Sequence, residues 1–177
     1  KNAQQLLTSI NSLLDFRKLD VGAETAHYKS GDIVNFIREI CSTFQEYALD
    51  HTISFCFMCE VENLNMSFDP VKIKKVMNNL LSNAFKYTPD KGEINVHLYR
   101  EDDNVCICVA DNGQGIIDKD KKHIFERFYK ADNFTQGAGL GLSICQTIVE
   151  RLNGTITVTS KLGKGTRFEV RISDKAI

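Results

Sequence analysis

Between Asp69-Pro70 and Pro89 the chain carries one long helical pattern, and no other feature limits the possible folds so tightly. Asp69 is an N-cap residue and Pro70 a first-turn residue, while Pro89 and Gly92 stop the pattern. Ile73, Val76, Met77, Leu80 and Ala84 fall on one apolar face, which must be covered by other elements. The surrounding segments supply that cover. Asp32 to Asp50 reads as a second helix, with Asp32 as N-cap and Ile33, Phe36, Ile37, Ile40, Phe44, Tyr47 and Ala48 facing inward; a third helix runs about 139–152 to the stop at Asn153-Gly154. Strand-like runs occupy 52–59, 63–68, 93–100, 104–111, 155–160 and 166–172; 93–100 and 104–111 read as a hairpin about Glu101-Asp102-Asp103, and the last two as a pair about 161–165. A short helical piece is expected around 118–127 in the polar stretch 112–138. Helices mixed with mostly hairpin-linked strands predict an α+β fold: a two-layer α/β sandwich, with one mixed, mostly antiparallel sheet of about five strands and three helices on one face. A further helix, residues 1 to about 20, precedes it. Its Leu6, Leu7, Ile10, Leu13 and Leu14 form a narrow seam suited to a partner helix, or to packing on its own domain.

Composition removes several classes of function. The 177 residues are 42% hydrophobic and 25% charged, as a folded domain requires. Twenty-two basic residues face 23 acidic ones, so no global field attracts nucleic acid, and any phosphate must be held by a local site. No run approaches the length of a spanning helix, and Lys1 to Gln5 does not read as a signal peptide. Cys56 and Cys59 have CxxC spacing, but in a strand they point to opposite faces, and no second Cys/His pair accompanies them. The six cysteines read as reduced cytosolic thiols.

Three segments carry chemistry. On the helix 69–87, Asn79 and Asn83 lie one turn apart at the edge of the apolar face, with Lys86 close to both. Amide oxygens suit a hard cation and an ammonium suits phosphate, although such a trio is also an ordinary polar shoulder. Asp111-Asn112-Gly113-Gln114-Gly115-Ile116 follows a strand directly: it is either a hairpin turn, or an aspartate placed to accept from a base amino group beside glycines that let a ligand approach. Gly137-Ala138-Gly139-Leu140-Gly141-Leu142 opens a helix, where backbone N–H groups can face phosphate oxygens. It is not a Rossmann fingerprint, since no strand precedes it, nor a P-loop, which needs a lysine followed by Ser or Thr; Lys164 is followed by glycine.

Taken in order, these segments resemble the boxes of sensor histidine kinases. Asn79-Leu-Leu-Ser-Asn83-Ala-Phe-Lys86-Tyr87-Thr88-Pro89 resembles their N box, Asp111 to Ile116 the first glycine box, and Phe125-Glu-Arg-Phe128-Tyr129 the F box. Gly137 to Leu142 is similar to the second glycine box, and Gly163-Lys-Gly-Thr166-Arg-Phe168 to the GT-F ending; together they span about residues 30–172. The resemblance implies an ATP- and Mg²⁺-binding catalytic domain. Asn79 and Asn83 would hold Mg²⁺ against the phosphates, and Lys86 would contact phosphate. Tyr87 would lie along the adenine, Asp111 would accept from its amino group, and Gly113, Gly115 and Ile116 would line the base. Gly137, Gly139, Leu140, Gly141 and Leu142 would anchor the lid and triphosphate, Lys130 would reach the γ-phosphate, and Thr166 the adenine end. The related gyrase-type and mismatch-repair ATPases carry a water-activating glutamate where this chain has Asn79, so the resemblance favours phosphoryl transfer over hydrolysis.

The family's phospho-accepting histidine lies in an H box, and His27, His51, His97 and His123 all lack its flanking residues. The resemblance therefore implies a fragment: residues 1–22 as the end of the second dimerisation helix with its linker, and 23–177 as the catalytic domain. The acceptor would lie on an upstream dimerisation domain of a homodimeric parent, a cytoplasmic portion of a membrane-anchored sensor, with a response-regulator receiver domain downstream. Asp15-Phe16-Arg17-Lys18 also resembles hybrid sensor kinases of Bacteroides-type bacteria.

Overall fold

A computed structural model of the chain describes residues 25–130 and 139–173, so the helix expected over 1–20 lies outside the described residues. The elements are β1 (Lys29–Asp32), α1 (Ile33–Ser42), α2 (Gln45–Asp50), β2 (Ser54–Cys59), β3 (Asn65–Phe68), α3 (Pro70–Tyr87), β4 (Glu93–Glu101), β5 (Asn104–Asp111), α4 (Asp118–Lys121), α5 (Gly141–Arg151), β6 (Thr155–Lys161) and β7 (Gly165–Ser173).

Five strands form one sheet in the order β2-β4-β5-β7-β6. The β2–β4 pair is parallel and the other three pairs are antiparallel. Parallel neighbours need a long crossover, and β3 with α3 provides it between β2 and β4. Ile94, Val96 and Leu98 of β4 and Val105, Ile107 and Val109 of β5 share one core with α1, α3 and α5. The other side of these strands is polar. There Tyr99 donates to Glu169 and Arg171 donates to Cys106. Burial pushes the Cys106 and Cys108 thiols up. The mixed sheet and helical layer agree with the expected sandwich.

Two expectations need correction. The helix expected over 32–50 is broken after Ser42. The hydroxyls of Ser42 and Thr43 donate to the Glu39 and Ile40 carbonyls, and the amides of Thr43 and Phe44 bond three residues back, which closes the first helix. Phe44 then turns onto Phe85, stacked at 5.5 Å. The run 63–68 does not join the main sheet. Its β3 pairs antiparallel with β1, a strand that the sequence pattern does not announce, in register Lys29 with Phe68 and Asp32 with Asn65. The helical piece near 118–127 is also shorter than expected, Asp118–Lys121, and continues as turns.

Candidate functional site

The polar rim of α3 is held by the burial of its opposite face. Ile73, Val76, Met77, Leu80, Leu81, Ala84 and Phe85 are buried, which leaves Asn79, Asn83 and Tyr87 partly open and Lys86 exposed. Asn79 donates its amide N–H to the Lys75 carbonyl of its own helix at 2.9 Å. Its Oδ1 therefore points outward, towards the first residue of α5. A side chain on Gly141 would bring its Cβ within 2.9 Å of that oxygen. Glycine at 141 thus keeps a bare cradle between the start of α5 and the amide oxygen of Asn79. The Lys86 ammonium lies over the Tyr87 ring, 5.0 Å from its centroid.

Asp111 ends β5 and faces two backbone amides. Its Oδ1 accepts from the Gly113 amide at 2.9 Å and the Thr166 amide at 3.3 Å; among the described residues its second carboxylate oxygen accepts no bond. Burial raises the Asp111 pKa above the usual carboxylate value, and the two amide bonds oppose that rise only in part. A buried carboxylate with one committed oxygen is a strong acceptor for an N–H donor brought by a ligand. Gly113 packs on the end of α3, where any side chain would collide with the Tyr87 carbonyl, and Gln114 donates to that same carbonyl. The glycine segment is therefore clamped between α3 and β5, and the hairpin reading of Asp111 to Ile116 gives way to this clamp.

The sequence-identified residues thus converge on one side of the core: Asn79 meets Gly141, Tyr87 meets Gly113 and Gln114, and Asp111 meets Gly113 and Thr166. Leu140 is buried as the N-cap of α5, and Leu142 and Gly139 are partly open. Phe128 of the F-box run donates its amide to the Gly139 carbonyl at 2.9 Å, which ties that run to the residues that open α5. Lys130 is exposed beyond it, and Gly137 lies outside the described residues. The histidines are tied elsewhere: His51 pairs with Asp90, His97 with Glu60 and His123 with Glu126, while the His27 amide bonds Asp69.

Sequence reasoning passed over Ser160. Its buried hydroxyl donates to the Gly165 carbonyl, accepts from the Ile116 amide at 2.9 Å and meets the Thr166 hydroxyl at 2.9 Å. One side chain thereby fixes the far end of the glycine segment to both closing strands. The only signal in sequence is a serine closing an otherwise alternating strand, at the position whose side chain faces inward. No cluster of three or more His, Cys, Asp or Glu is placed for a metal among the described residues. The oxygen facing the Gly141 cradle is the Asn79 amide Oδ1, a donor type that suits a hard cation that also holds phosphate oxygens.

Residues 68–176 match the family of histidine kinase-, DNA gyrase B-, and HSP90-like ATPases. The chain belongs to that family, and within it to the ATP-binding catalytic domains of sensor histidine kinases. It is 37% identical over 178 residues to histidine kinase P4 of Formosa agariphila, which covers 97% of this chain and 13% of that protein. Sensor histidine kinase TmoS of Ectopseudomonas mendocina is 37% identical over 97% of this chain and 18% of its own length. The chain therefore spans less than a fifth of these relatives. Among solved structures, the catalytic domain of histidine kinase ThkA superposes with a TM-score of 0.77 at 31% identity, covering 84% of this chain and 96% of that domain. Full-length ShkA in complex with AMPPNP superposes with a TM-score of 0.87 at 26% identity, over 97% of this chain and 37% of that one.

Proposed function

We propose that this domain binds Mg-ATP at the α3–β5–α5 site and presents the γ-phosphoryl group to a histidine on an upstream dimerisation domain. The observation that carries the reading is the Asp111 carboxylate, held at the end of β5 by one oxygen. An adenine amino group would occupy the other oxygen, with Tyr87, Gly115 and Ile116 beside the ring. Asn83, Lys86 and the start of α5 would then run along the triphosphate. Asn79 and Asn83 would hold the cation, whose chemistry is neutralisation of phosphate charge. Lys86 does the same from the side chain, and the α5 amides from the backbone. Thr166 would meet the base end, and Lys130 and Gly137 the lid and γ-phosphate side. The AMPPNP complex of ShkA supports nucleotide occupancy of this fold.

Asn79 separates transfer from hydrolysis. Its amide donates into its own helix and has no basic group to activate water. The reaction left to the domain is an in-line displacement. An imidazole nitrogen attacks Pγ, the bond from Pγ to the bridging oxygen breaks, and ADP leaves. The parent would act as a homodimer, its phosphohistidine serving a response-regulator receiver domain; ThkA has been solved with response regulator TrrA. We place this domain on the cytoplasmic side of a membrane-anchored parent. Among the described residues no helix is long and apolar enough to cross a membrane.

Radiolabelled ATP tests the reading. The chain alone should bind Mg-ATP and remain unlabelled, because no acceptor stands in line with the γ-phosphate. A dimerisation domain carrying an H box, added in trans, should acquire acid-labile, base-stable label slowly, since the tether is lost. Steady phosphate release by the chain alone would overturn the transfer assignment, and binding without transfer to any acceptor would make the domain a regulatory nucleotide module.

A further inference from the structure

Two aspartates brace the ribbon of β1 and β3 in reciprocal fashion. Asp32 ends β1 and caps α1, accepting from Val34, and the same oxygen reaches across to the Leu64 amide just before β3 at 3.0 Å. Asp69 follows β3 and caps α3, accepting from Val71 and Lys72 through Oδ1. Its Oδ2 reaches across to the His27 amide just before β1 at 2.8 Å. The Lys72 ammonium completes the second brace, 3.1 Å from Asp69 Oδ2 and 2.9 Å from the Thr25 carbonyl. Asp69 and Lys72 are 1% and 5% exposed, so this ion pair is buried. Burial alone would raise the Asp69 pKa, but the amides of Lys72 and His27 and the Lys72 ammonium hold it below the usual carboxylate value.

Capping α3 needs only Oδ1 of Asp69. The second oxygen and the lysine ammonium are committed to the segment that enters the domain at Thr25. Stability alone does not call for this, because a buried ion pair is often matched or bettered by apolar residues of similar volume. Lys72 also lies seven residues before Asn79 and fourteen before Lys86, close to the same stripe of α3 and about 10 and 21 Å along the helix axis.

We propose that Asp69 and Lys72 are positioning residues that join the incoming segment to α3. The position of residues 25–28 would thereby set where Asn79, Asn83 and Lys86 meet the phosphates. The inference rests on the proposed nucleotide site. Coupling of this kind is reciprocal, so nucleotide at the far half of α3 must in turn steady residues 25–28.

Hydrogen exchange of the 177-residue chain, with and without Mg-AMPPNP, reads the joint at the His27 amide. In the wild-type chain nucleotide should slow exchange over residues 25–28 by about fivefold or more. Lys72→Met should remove that response and weaken nucleotide affinity by a comparable factor in calorimetry, and Lys72→Arg should restore both. A simple structural brace would lower stability without altering the nucleotide response. If Lys72→Met does not melt cooperatively, Asp69→Asn, which keeps the cap acceptor and weakens the pair, takes its place. Nucleotide binding without slowed exchange in the wild type, or an equal response in the variant, overturns the joint. Absence of nucleotide binding in the wild type overturns the site and the joint with it.

Discussion

Replacing Asp111 by asparagine separates binding from folding more cleanly than any other change in the site. The two side chains have the same shape, so an asparagine carbonyl can keep the bonds from Gly113 and Thr166 that Oδ1 now accepts. The amide NH₂ then faces the ligand where the second carboxylate oxygen stood. A charge-assisted bond to an adenine amino group becomes a donor facing a donor. Hydrogen bonds to charged groups contribute about 1.5–3 kcal/mol, so affinity for ADP should fall about 10- to 150-fold. Stability should move the other way. Because burial raises the folded-state pKa of Asp111 above 3.8, the folded form holds its proton more tightly than the unfolded chain. The stabilising contribution is present at low pH and is lost as pH rises through the window above 3.8, so at pH 7 the carboxylate is a net cost to the apo fold. Asp111→Asn should leave Tm at pH 7 unchanged or raised. Calorimetry with ADP and a thermal melt of the same samples decide it. Unchanged affinity with unchanged Tm would remove Asp111 from the site, and a fall in Tm beyond about 4 °C, roughly 1 kcal/mol for a chain of this size, would make it a structural residue.

Three further outcomes are expected. Asn83→Ala should leave the fold intact, since Asn83 is only partly buried, and should abolish the Mg²⁺ dependence of nucleotide affinity measured by titration with and without EDTA. Gly141→Ala should push the Asn79 amide out of the cradle and weaken Mg-ADP binding by calorimetry, while the melt stays level or rises because alanine favours a helix by up to about 1 kcal/mol over glycine. Asp69 has a lowered folded-state pKa, so its stabilisation is present above 3.8 and is lost as pH falls below that value; Asp69→Asn should be less stable than wild type at pH 7 by denaturant titration, and the gap should close on acidification towards pH 2.

What could be read in the sequence, and what could not, follows from where each signal resides. Helix α3 was legible because its cap, its first-turn proline, its apolar period and its stop are all local. The hairpins were legible from alternation and turn residues for the same reason. Strand β1 was not: Lys29-Ser30-Gly31-Asp32 has little strand propensity, and it is extended because β3 and the two cap aspartates hold it from a distance. Lys72 reads as one more solvent-facing lysine in Lys72-Ile-Lys-Lys75, and its burial is explained by Asp69 together with the carbonyl of Thr25, far earlier in the chain. The break after Ser42 depends on hydroxyls choosing carbonyls over water, which no apolar period registers. Of the candidate site, the residues in glycine-bounded motifs were legible because their spacing is local. Ser160 was not, because its partners Ile116 and Thr166 belong to different segments.

The placement of the site also explains why so little of it is chemically reactive. Asp111 is the last residue of β5, Gly141 the first of α5, Thr166 the second of β7, and Lys86 and Tyr87 close α3. Element ends are where backbone groups lack partners within their own helix or strand, so they can turn to a ligand without breaking the core. The core in turn fixes those ends. Asn79 is tied to Lys75, Asp111 to Gly113 and Thr166, and Ile116 to Ser160, before any nucleotide arrives. A site of this kind holds charge and geometry in place, and its one described carboxylate, Asp111, is committed to the Gly113 and Thr166 amides. On the proposed function, the site's catalytic contribution would come from positioning and charge neutralisation, with bond formation left to an acceptor brought from outside. On the joint proposed above, the bracing of α3 at Asp69 and Lys72 then contributes to placing the residues that would face phosphate. A group whose role is placement is only as good as the helix end that carries it.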